Sequence, residues 1–456
     1  MLAASILASS LAFIDGSVVN VGLPAIGRSL AADAGGLQWM INAYLLPLSA
    51  LLLVGGAAGD RFGRRRLVVG GLWAFGLGSL GCALAPDLGS LLLARFVQGM
   101  GAAALMPNSL AILSQAFSGE AKGRAIGIWA AVGAGLGAIG PVLGGWLIDS
   151  VGWRAIFIVN LPLAAAAMVL TVRAVPVDAP DRSRSIDALG SLLAALGLGL
   201  LTFGLTQGSG ADGWTVRSGA TLIAGLVILA AFVAVESRRG DWAIMPLALF
   251  RSATSVGLNL STALLYGALG GLTVVLPYVL IENGGYTGTA AGAALLPLPL
   301  VFAALSPTIG GWAGRMGARG ALIAGPLIIA AGLALGANVA SRPGYWTSVL
   351  PALLLVAVGL AVAVAPLTTA VLGSVDARFT GAASGLNNAV ARTGGLVATA
   401  LLGSVLGARG PALSAAVPIA AMVGSGLCVA ASACAYGLID RRPAAGVLNP
   451  PPPDRR

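Results

Sequence analysis

Two ionisable residues stand inside long apolar runs of this 456-residue chain, and both belong to types that hold charge or exchange protons. Asp15 lies in Phe13-Ile14-Asp15-Gly16-Ser17-Val18-Val19-Asn20-Val21-Gly22-Leu23-Pro24, and Arg95 in Leu91-Leu92-Leu93-Ala94-Arg95-Phe96-Val97-Gln98-Gly99. A charge near the centre of a bilayer costs roughly 2.5 to 3.5 kcal/mol even on the gentler insertion scales, so each such residue marks a functional site by default. The structural alternatives are an aspartate held neutral or paired for packing, and an arginine held by backbone carbonyls or by an ion pair. Arg95, Gln98, Gly99 and Ala102 share one helical face. A guanidinium beside a carboxyl favours its charged form, while separation or dehydration favours the neutral acid, so the two together would couple proton movement to helix movement.

Three further stretches carry residues of interest. Gly56-Ala57-Ala58-Gly59-Asp60-Arg61-Phe62-Gly63-Arg64-Arg65-Arg66 packs basic residues and one acid into a tight turn that Gly63 permits. It reads as an orientation anchor and also as a latch, with Asp60 placed at the positive N-terminus of a neighbouring helix such as the one starting near Gly381. Gly133, Gly137, Gly140, Pro141, Gly144 and Gly145 give one helix a smooth face, and Pro141 removes a backbone donor. That combination suits a hinge or a tight seal between two halves. Gly381, Ser384, Gly385, Asn388, Arg392, Gly395 and Thr399 form a polar stripe at helical spacing. Polar helix contact is one reading; the other is a substrate cavity, to which Asn20, Gln98, Asn387, Asn388 and Arg392 are the candidate contributors. Glu282, at the outer end of an apolar run, reads as interfacial.

The elements that must position these groups follow from composition. The chain is 57% hydrophobic and 9% charged, with 67 glycines that let helices approach closely in lipid. Cutting at charges, Gly and Pro predicts fourteen transmembrane helices, at about 3–26, 38–58, 67–85, 89–113, 125–148, 155–172, 187–206, 219–236, 254–281, 290–313, 321–340, 346–371, 381–407 and 416–438. Nineteen of the 26 basic residues fall in alternate loops and the tail, against five in the opposite loops, which predicts both termini in the cytoplasm. No cleavable signal peptide is expected, since the first apolar run is long and contains Asp15. The bias toward Arg, Ala, Gly and Pro is that of a high-GC genome, and a bacterial plasma membrane is the expected location.

A weaker copy of the Gly56–Arg66 loop, Gly310-Gly311-Trp312-Ala313-Gly314-Arg315-Met316-Gly317-Ala318-Arg319, ends the tenth span as the first copy ends the second. This spacing predicts an all-α polytopic protein of two six-helix bundles, 1–173 and 254–440, with a linker and two inserted helices at 174–253 and a disordered cytoplasmic tail at 441–456. There is no Gly-x-x-x-x-Gly-Lys-[Ser/Thr] to cradle phosphate, so ATP is not expected. The net charge of +10 sits in short loops, where it orients helices rather than binding nucleic acid. With no His, and with Cys82, Cys428 and Cys434 unspaced for ligation, neither a metal, another cofactor nor enzymatic machinery is expected.

These motifs resemble the major facilitator superfamily, and within it the fourteen-span drug:proton antiporters. Asp15 to Pro24 is similar to that family's first-helix motif, with Ser17 for the usual Thr and Gly22 for the usual Ala. Gly56 to Arg66 is similar to the cytoplasmic loop motif, Arg95 to Gly99 to the fourth-helix motif, Gly137 to Gly145 to the antiport signature, and Trp153 to Pro162 to the start of helix six. The resemblance implies a central cavity, alternating access, and a monomer exporting a small hydrophobic or amphipathic compound against protons. It places Asp15 and Arg95 at the proton-coupling positions and Asp60, among Gly56, Asp60, Arg61, Gly63, Arg64 and Arg65, at the gate. Gly314 replaces the acid in the second loop, so one strong latch is expected, and the tenth span carries no acid to recognise a cation. A proton symporter or facilitator for a metabolite keeps the same fold; a non-transporting scaffold or sensor is the alternative from another class.

Overall fold

Lipid offers no partner to a bare backbone N–H or carbonyl, so an apolar run long enough to cross it has to satisfy its backbone internally, as a helix. The computed structural model describes residues 1–178, 187–210, 213–239, 250, 252–316, 318–341, 344–375 and 380–439, and these hold seventeen α-helices and no strand. The first seven are α1 (Leu2–Ser29), α2 (Ala34–Phe62), α3 (Arg64–Leu84), α4 (Leu88–Ala116), α5 (Gly119–Ser150), α6 (Ala155–Ile158) and α7 (Asn160–Ala174). Next come α8 (Ala188–Ser209), α9 (Val216–Arg239), α10 (Ala253–Glu282), α11 (Gly288–Ala294), α12 (Pro297–Met316) and α13 (Ala318–Leu335). The chain finishes with α14 (Leu350–Gly373), α15 (Thr380–Ala400), α16 (Gly403–Leu406) and α17 (Pro411–Leu438).

Local chemistry starts and stops these helices. Asp33 accepts from the Gly36 N–H at 2.7 Å to cap α2, Asp87 from Ser90 at 2.8 Å to cap α4, and Asp187 from Gly190 at 2.6 Å to cap α8. Gly63, at φ +97°, makes the turn between α2 and α3 that a residue with a side chain would adopt only under strain.

Among the described residues, thirteen helical segments are long and apolar enough to cross a membrane, so this is a multi-pass membrane protein. The fourteenth expected span is α15, which is of crossing length but carries the polar stripe and lies among other helices, so lipid does not select its composition. Three expected spans are broken. Residues 155–172 divide at Val159 into α6 and α7, and 290–313 divide at Leu295–Leu296, ahead of Pro297, into α11 and α12. The expected span 381–407 ends at Ala400, because the carbonyls of Thr399 and Ala400 turn to accept from Gln38 Nε2 at 3.1 and 2.8 Å. Ser209 Oγ donates to the Ala400 carbonyl as well, at 2.7 Å.

The helices pack as two bundles. In the first, α1 lies on α4, α5 and α7, α2 on α4, and α3 on α4 and α7. In the second, α10 lies on α15 and α17, α13 on α14 and α17, and α12 on α14. The α8–α9 pair forms a hairpin beside α2 and α15. Its own seam is glycine-lined: a Cβ at Gly204 or Gly225 would press on the backbone of the facing helix. The bundles meet where α1 packs on α10, α2 on α15, and α5 on α11. The tail 441–456, Gly317 of the second loop copy and parts of the basic loops, at 179–186, 240–249, 251, 342–343 and 376–379, fall outside the described residues.

Candidate functional site

Asp15 comes to the interior of the first bundle because its neighbours Ile14, Val18 and Val19 are core residues and carry it inward with them. Its side chain is enclosed on all sides by hydrogen bonds. Oδ2 accepts from Arg95 Nη1 at 2.5 Å; Oδ1 accepts from Gln98 Nε2 at 2.8 Å and from Asn160 Nδ2 at 3.1 Å. Arg95 is equally buried. Its Nη1 also donates to Gln98 Oε1 at 2.7 Å, its Nε donates to the Met40 carbonyl at 3.2 Å, and its guanidinium lies 4.4 Å from the centre of the Tyr44 ring. The network therefore joins α1, α2, α4 and α7, and Ser79, accepting from Gln98 at 2.8 Å, adds α3. Removing two charges from water is tolerable only with such complete pairing. Sequence reasoning missed Asn160 and Ser79 as members; the one available signal was a polar residue in an otherwise apolar stretch.

A cavity of about 500 Å³ lies between the bundles. Asn20, Asn387, Asn388 and Arg392 line it, and so do Arg95, Tyr44 and Tyr266. Gln98 is placed differently: fully buried, it sits behind the cavity wall as a partner of Asp15. Asp15 also stands behind that wall, screened by Arg95. Asn387 donates to Thr262 Oγ1 at 2.7 Å, which ties the cavity face of α15 to α10.

The turn from α2 to α3 pairs an acid with a base one helical turn away. Asp60 Oδ1 accepts from Arg64 Nη2 at 2.6 Å and from Nε at 3.1 Å. Asp178, beyond α7, accepts from the backbone N–H of Arg64 at 2.6 Å and of Arg65 at 3.3 Å at the start of α3. Arg65 Nη2 donates to the Val172 carbonyl at 2.7 Å, so the turn is bound to the end of α7. The segment 376–379, which leads to the expected partner helix of Asp60, lies outside the described residues.

The α5 glycines divide between two partners. A Cβ at Gly140 would strike Ser17, and one at Gly144 would strike Val18, both on α1. A Cβ at Gly145 would overlap the Gly288 backbone of α11, and one at Gly292 of α11 would overlap the carbonyl of Pro141. Gly137 differs, since a Cβ there meets no heavy atom within 4 Å. The seam between α5 and α11 is thus a backbone contact between the two bundles.

Polar contacts fasten the bundles at the end of the molecule opposite the start of α1. Asp149 accepts from the N–H of Gly288 at 3.0 Å, from the N–H of Thr289 at 2.8 Å and from its hydroxyl at 2.7 Å. Glu282, expected to be merely interfacial, instead bridges the bundles: it pairs with Arg28 of α1 at 2.6 Å and with Arg409 at 3.5 Å. Beneath these contacts Leu23, Ile26, Leu37, Tyr278, Leu402 and Leu406 belong to one apolar cluster drawn from both bundles. No group of three or more potential metal ligands occurs among the described residues.

Comparison with known proteins agrees with this architecture. Residues 5–399 match the profile of the Major Facilitator Superfamily. The chain is 37% identical over 399 residues to the multidrug resistance protein Stp of Mycobacterium tuberculosis, covering 87% of this chain and 73% of that one. It is 35% identical over 295 residues to the methylenomycin A resistance protein of Bacillus subtilis, covering 64% and 62%, and 38% identical over 309 residues to the puromycin resistance protein of Streptomyces alboniger, covering 66% and 60%. Among solved structures, an auto-inhibited POT family peptide transporter superposes with a TM-score of 0.69 at 17% identity, covering 96% of each chain. The xylose transporter XylE of E. coli, in a partially occluded inward open conformation, superposes with 0.65 at 13%, covering 96% of this chain and 99% of that one. At those identities the structures speak for the fold, whereas the profile and the Stp relative speak for descent: this chain belongs to the Major Facilitator Superfamily and is a membrane transporter rather than an enzyme.

Proposed function

We propose that the chain is a proton-coupled antiporter that exports small hydrophobic or amphipathic organic compounds by alternating access. The observation that carries this reading is the buried Asp15–Arg95 pair, set immediately behind the wall of the cavity between the bundles. A proton arriving on Asp15 removes one charge of the pair and weakens the packing that the pair supports; its release restores both. Each protonation state then favours a different arrangement of the bundles. Because Asp15 does not line the cavity, proton and substrate occupy different groups, and coupling runs through packing of α1 against α4, α5 and α7. Support for export over uptake comes from the α5–α11 seam and from relatives named for drug and antibiotic resistance.

In this reading residues 1–173 and 254–440 rock as two bodies about the cavity, and 174–253 supplies the linker and an accessory hairpin. The protein works as a monomer in a bacterial plasma membrane with both termini cytoplasmic, so the contacts of Glu282 and Asp149 seal the outside. Its partners are protons, a small organic substrate and the bilayer, with neither ATP nor nucleic acid. In inside-out vesicles holding an imposed pH gradient, an exported compound is expected to discharge that gradient. A compound that instead moves together with the proton would overturn antiport in favour of symport.

The seam gives a second expectation. Gly145→Ala forces α5 off α11, and overpacking of about 1–3 kcal/mol against the sealed arrangement lowers transport about ten- to a hundredfold. Gly137→Ala, on the same helix but facing open space, leaves the rate unchanged. Equal effects from the two, measured as initial transport rates at matched protein levels, would remove the seam from the mechanism.

A further inference from the structure

The charges around the cavity indicate which compounds it takes. Among its lining residues there is no acid and there are two arginines, Arg95 and Arg392. Arg95 is neutralised from behind by Asp15. Arg392 has no carboxylate partner among the described residues; the contact its guanidinium makes is from Nη2 to the sulfur of Met106, 3.6 Å away on α4. A thioether is a weak acceptor, and a guanidinium carries five N–H donors in a planar fork that suits two oxygens of one anion. Around it the wall offers amide and hydroxyl groups from Asn388, Ser384, Thr368 and Tyr266, together with apolar surface from Leu269, Val371 and Phe13.

We propose that this cavity selects amphipathic organic anions, with Arg392 binding a carboxylate or sulfonate head in place of the Met106 sulfur while the apolar wall takes the body of the molecule. The inference rests on the transporter reading above and names its substrate class. With Asp15 ionised, the state in which an antiporter takes up its substrate, the cavity wall and the groups behind it among the described residues carry one uncompensated positive charge, which repels an organic cation. Arg392 belongs to the second bundle and Met106 to the first. An anion held by Arg392 therefore sits where the bundles face one another, and its departure leaves the arginine with only the sulfur contact.

The test uses the full chain in nanodiscs of uncharged lipid and three aromatic probes: anilinonaphthalene sulfonate as the anion, N-phenylnaphthylamine as the neutral analogue and ethidium as the cation. The anion is expected to bind most tightly. Arg392→Gln should weaken the anion about ten- to a hundredfold while leaving the neutral probe within about twofold, which also reports that the cavity is intact. Arg392→Lys should retain most of the anion affinity. Ethidium binding at least as tightly as the sulfonate, or sulfonate affinity surviving Arg392→Gln, overturns the proposal. Failure of the transport reading looks different: neutral or cationic compounds that discharge the pH gradient independently of Arg392 sink the anion class and leave antiport standing, whereas anion selectivity without proton flux does the reverse.

Discussion

Asp15→Asn is expected to reduce substrate-driven discharge of the pH gradient to the level of vesicles lacking the protein. The substitution keeps the size of the side chain and an oxygen that can still accept from Gln98, Asn160 or Arg95. What it removes is the group that gains and loses a proton inside the first bundle. It also leaves Arg95 charged and buried without its counter-ion, and breaking one side of a buried pair costs about 3–5 kcal/mol. A fall in thermal stability is therefore expected alongside the loss of coupling, and the two effects need separate readouts. Substrate counterflow, which exchanges one labelled molecule for another without net proton movement, should persist in Asp15→Asn if the bundles still fold and rock. Asp15→Glu keeps the acid but must fit an extra methylene into an enclosed network, so it should retain partial coupling. Undiminished gradient-driven export in Asp15→Asn would eliminate this carboxylate as the coupling site.

Arg95→Gln should be nearly as damaging, for the opposite reason. It leaves the Asp15 carboxyl among apolar helices with two amide donors and no cation, so a charge there is no longer compensated. Coupled transport is then lost because the pair that ties the charge of Asp15 to the packing of the first bundle is gone. Stability should fall by about 3–5 kcal/mol, with part of the loss coming from the contacts with the Tyr44 ring and the Met40 carbonyl. Arg95→Lys is not expected to rescue, because one ammonium cannot reproduce the fork that serves Asp15, Gln98 and Met40 together. The combined Asp15→Asn and Arg95→Gln variant removes both charges and should lose less stability than the sum of the single variants. A deviation from additivity of about 0.5–3 kcal/mol in the stabilising direction is the range for residues in direct contact. Additive losses in a thermal or denaturant unfolding series would mean that the pair does not act as a unit.

The contact at the opposite end of the molecule carries a related lesson about charge. From sequence, Glu282 is one acid at the boundary of one apolar run, and boundary acids are ordinarily solvated. Its pairing with Arg28 spans more than half the chain and arises because α1 packs on α10. Asp178 is similar: within its own segment it is a linker acid, yet in space it caps α3. Neither assignment follows from local pattern, because each depends on which helix ends meet.

Much of this protein was legible in one dimension. A carboxylate inside an apolar run has to be paired or held neutral within a bundle, and Arg95, on one helical face with Gln98, was the basic residue placed to meet it. Helix periodicity and the cost of an unpaired backbone in lipid likewise determined the all-helical, multi-pass architecture, and glycine spacing marked α5 as a helix meant for close approach. Only the tertiary structure decided that Asn160 and Ser79 complete the Asp15 network, that Gln98 stands behind the cavity wall, that α15 ends at Ala400 on Gln38, and that Arg392 faces the cavity with no carboxylate partner among the described residues. Burial and spacing are properties of a single helix, and sequence encodes them locally. Partners separated by tens to hundreds of residues are chosen by the rotation and register of one packed helix against another, which no local pattern records.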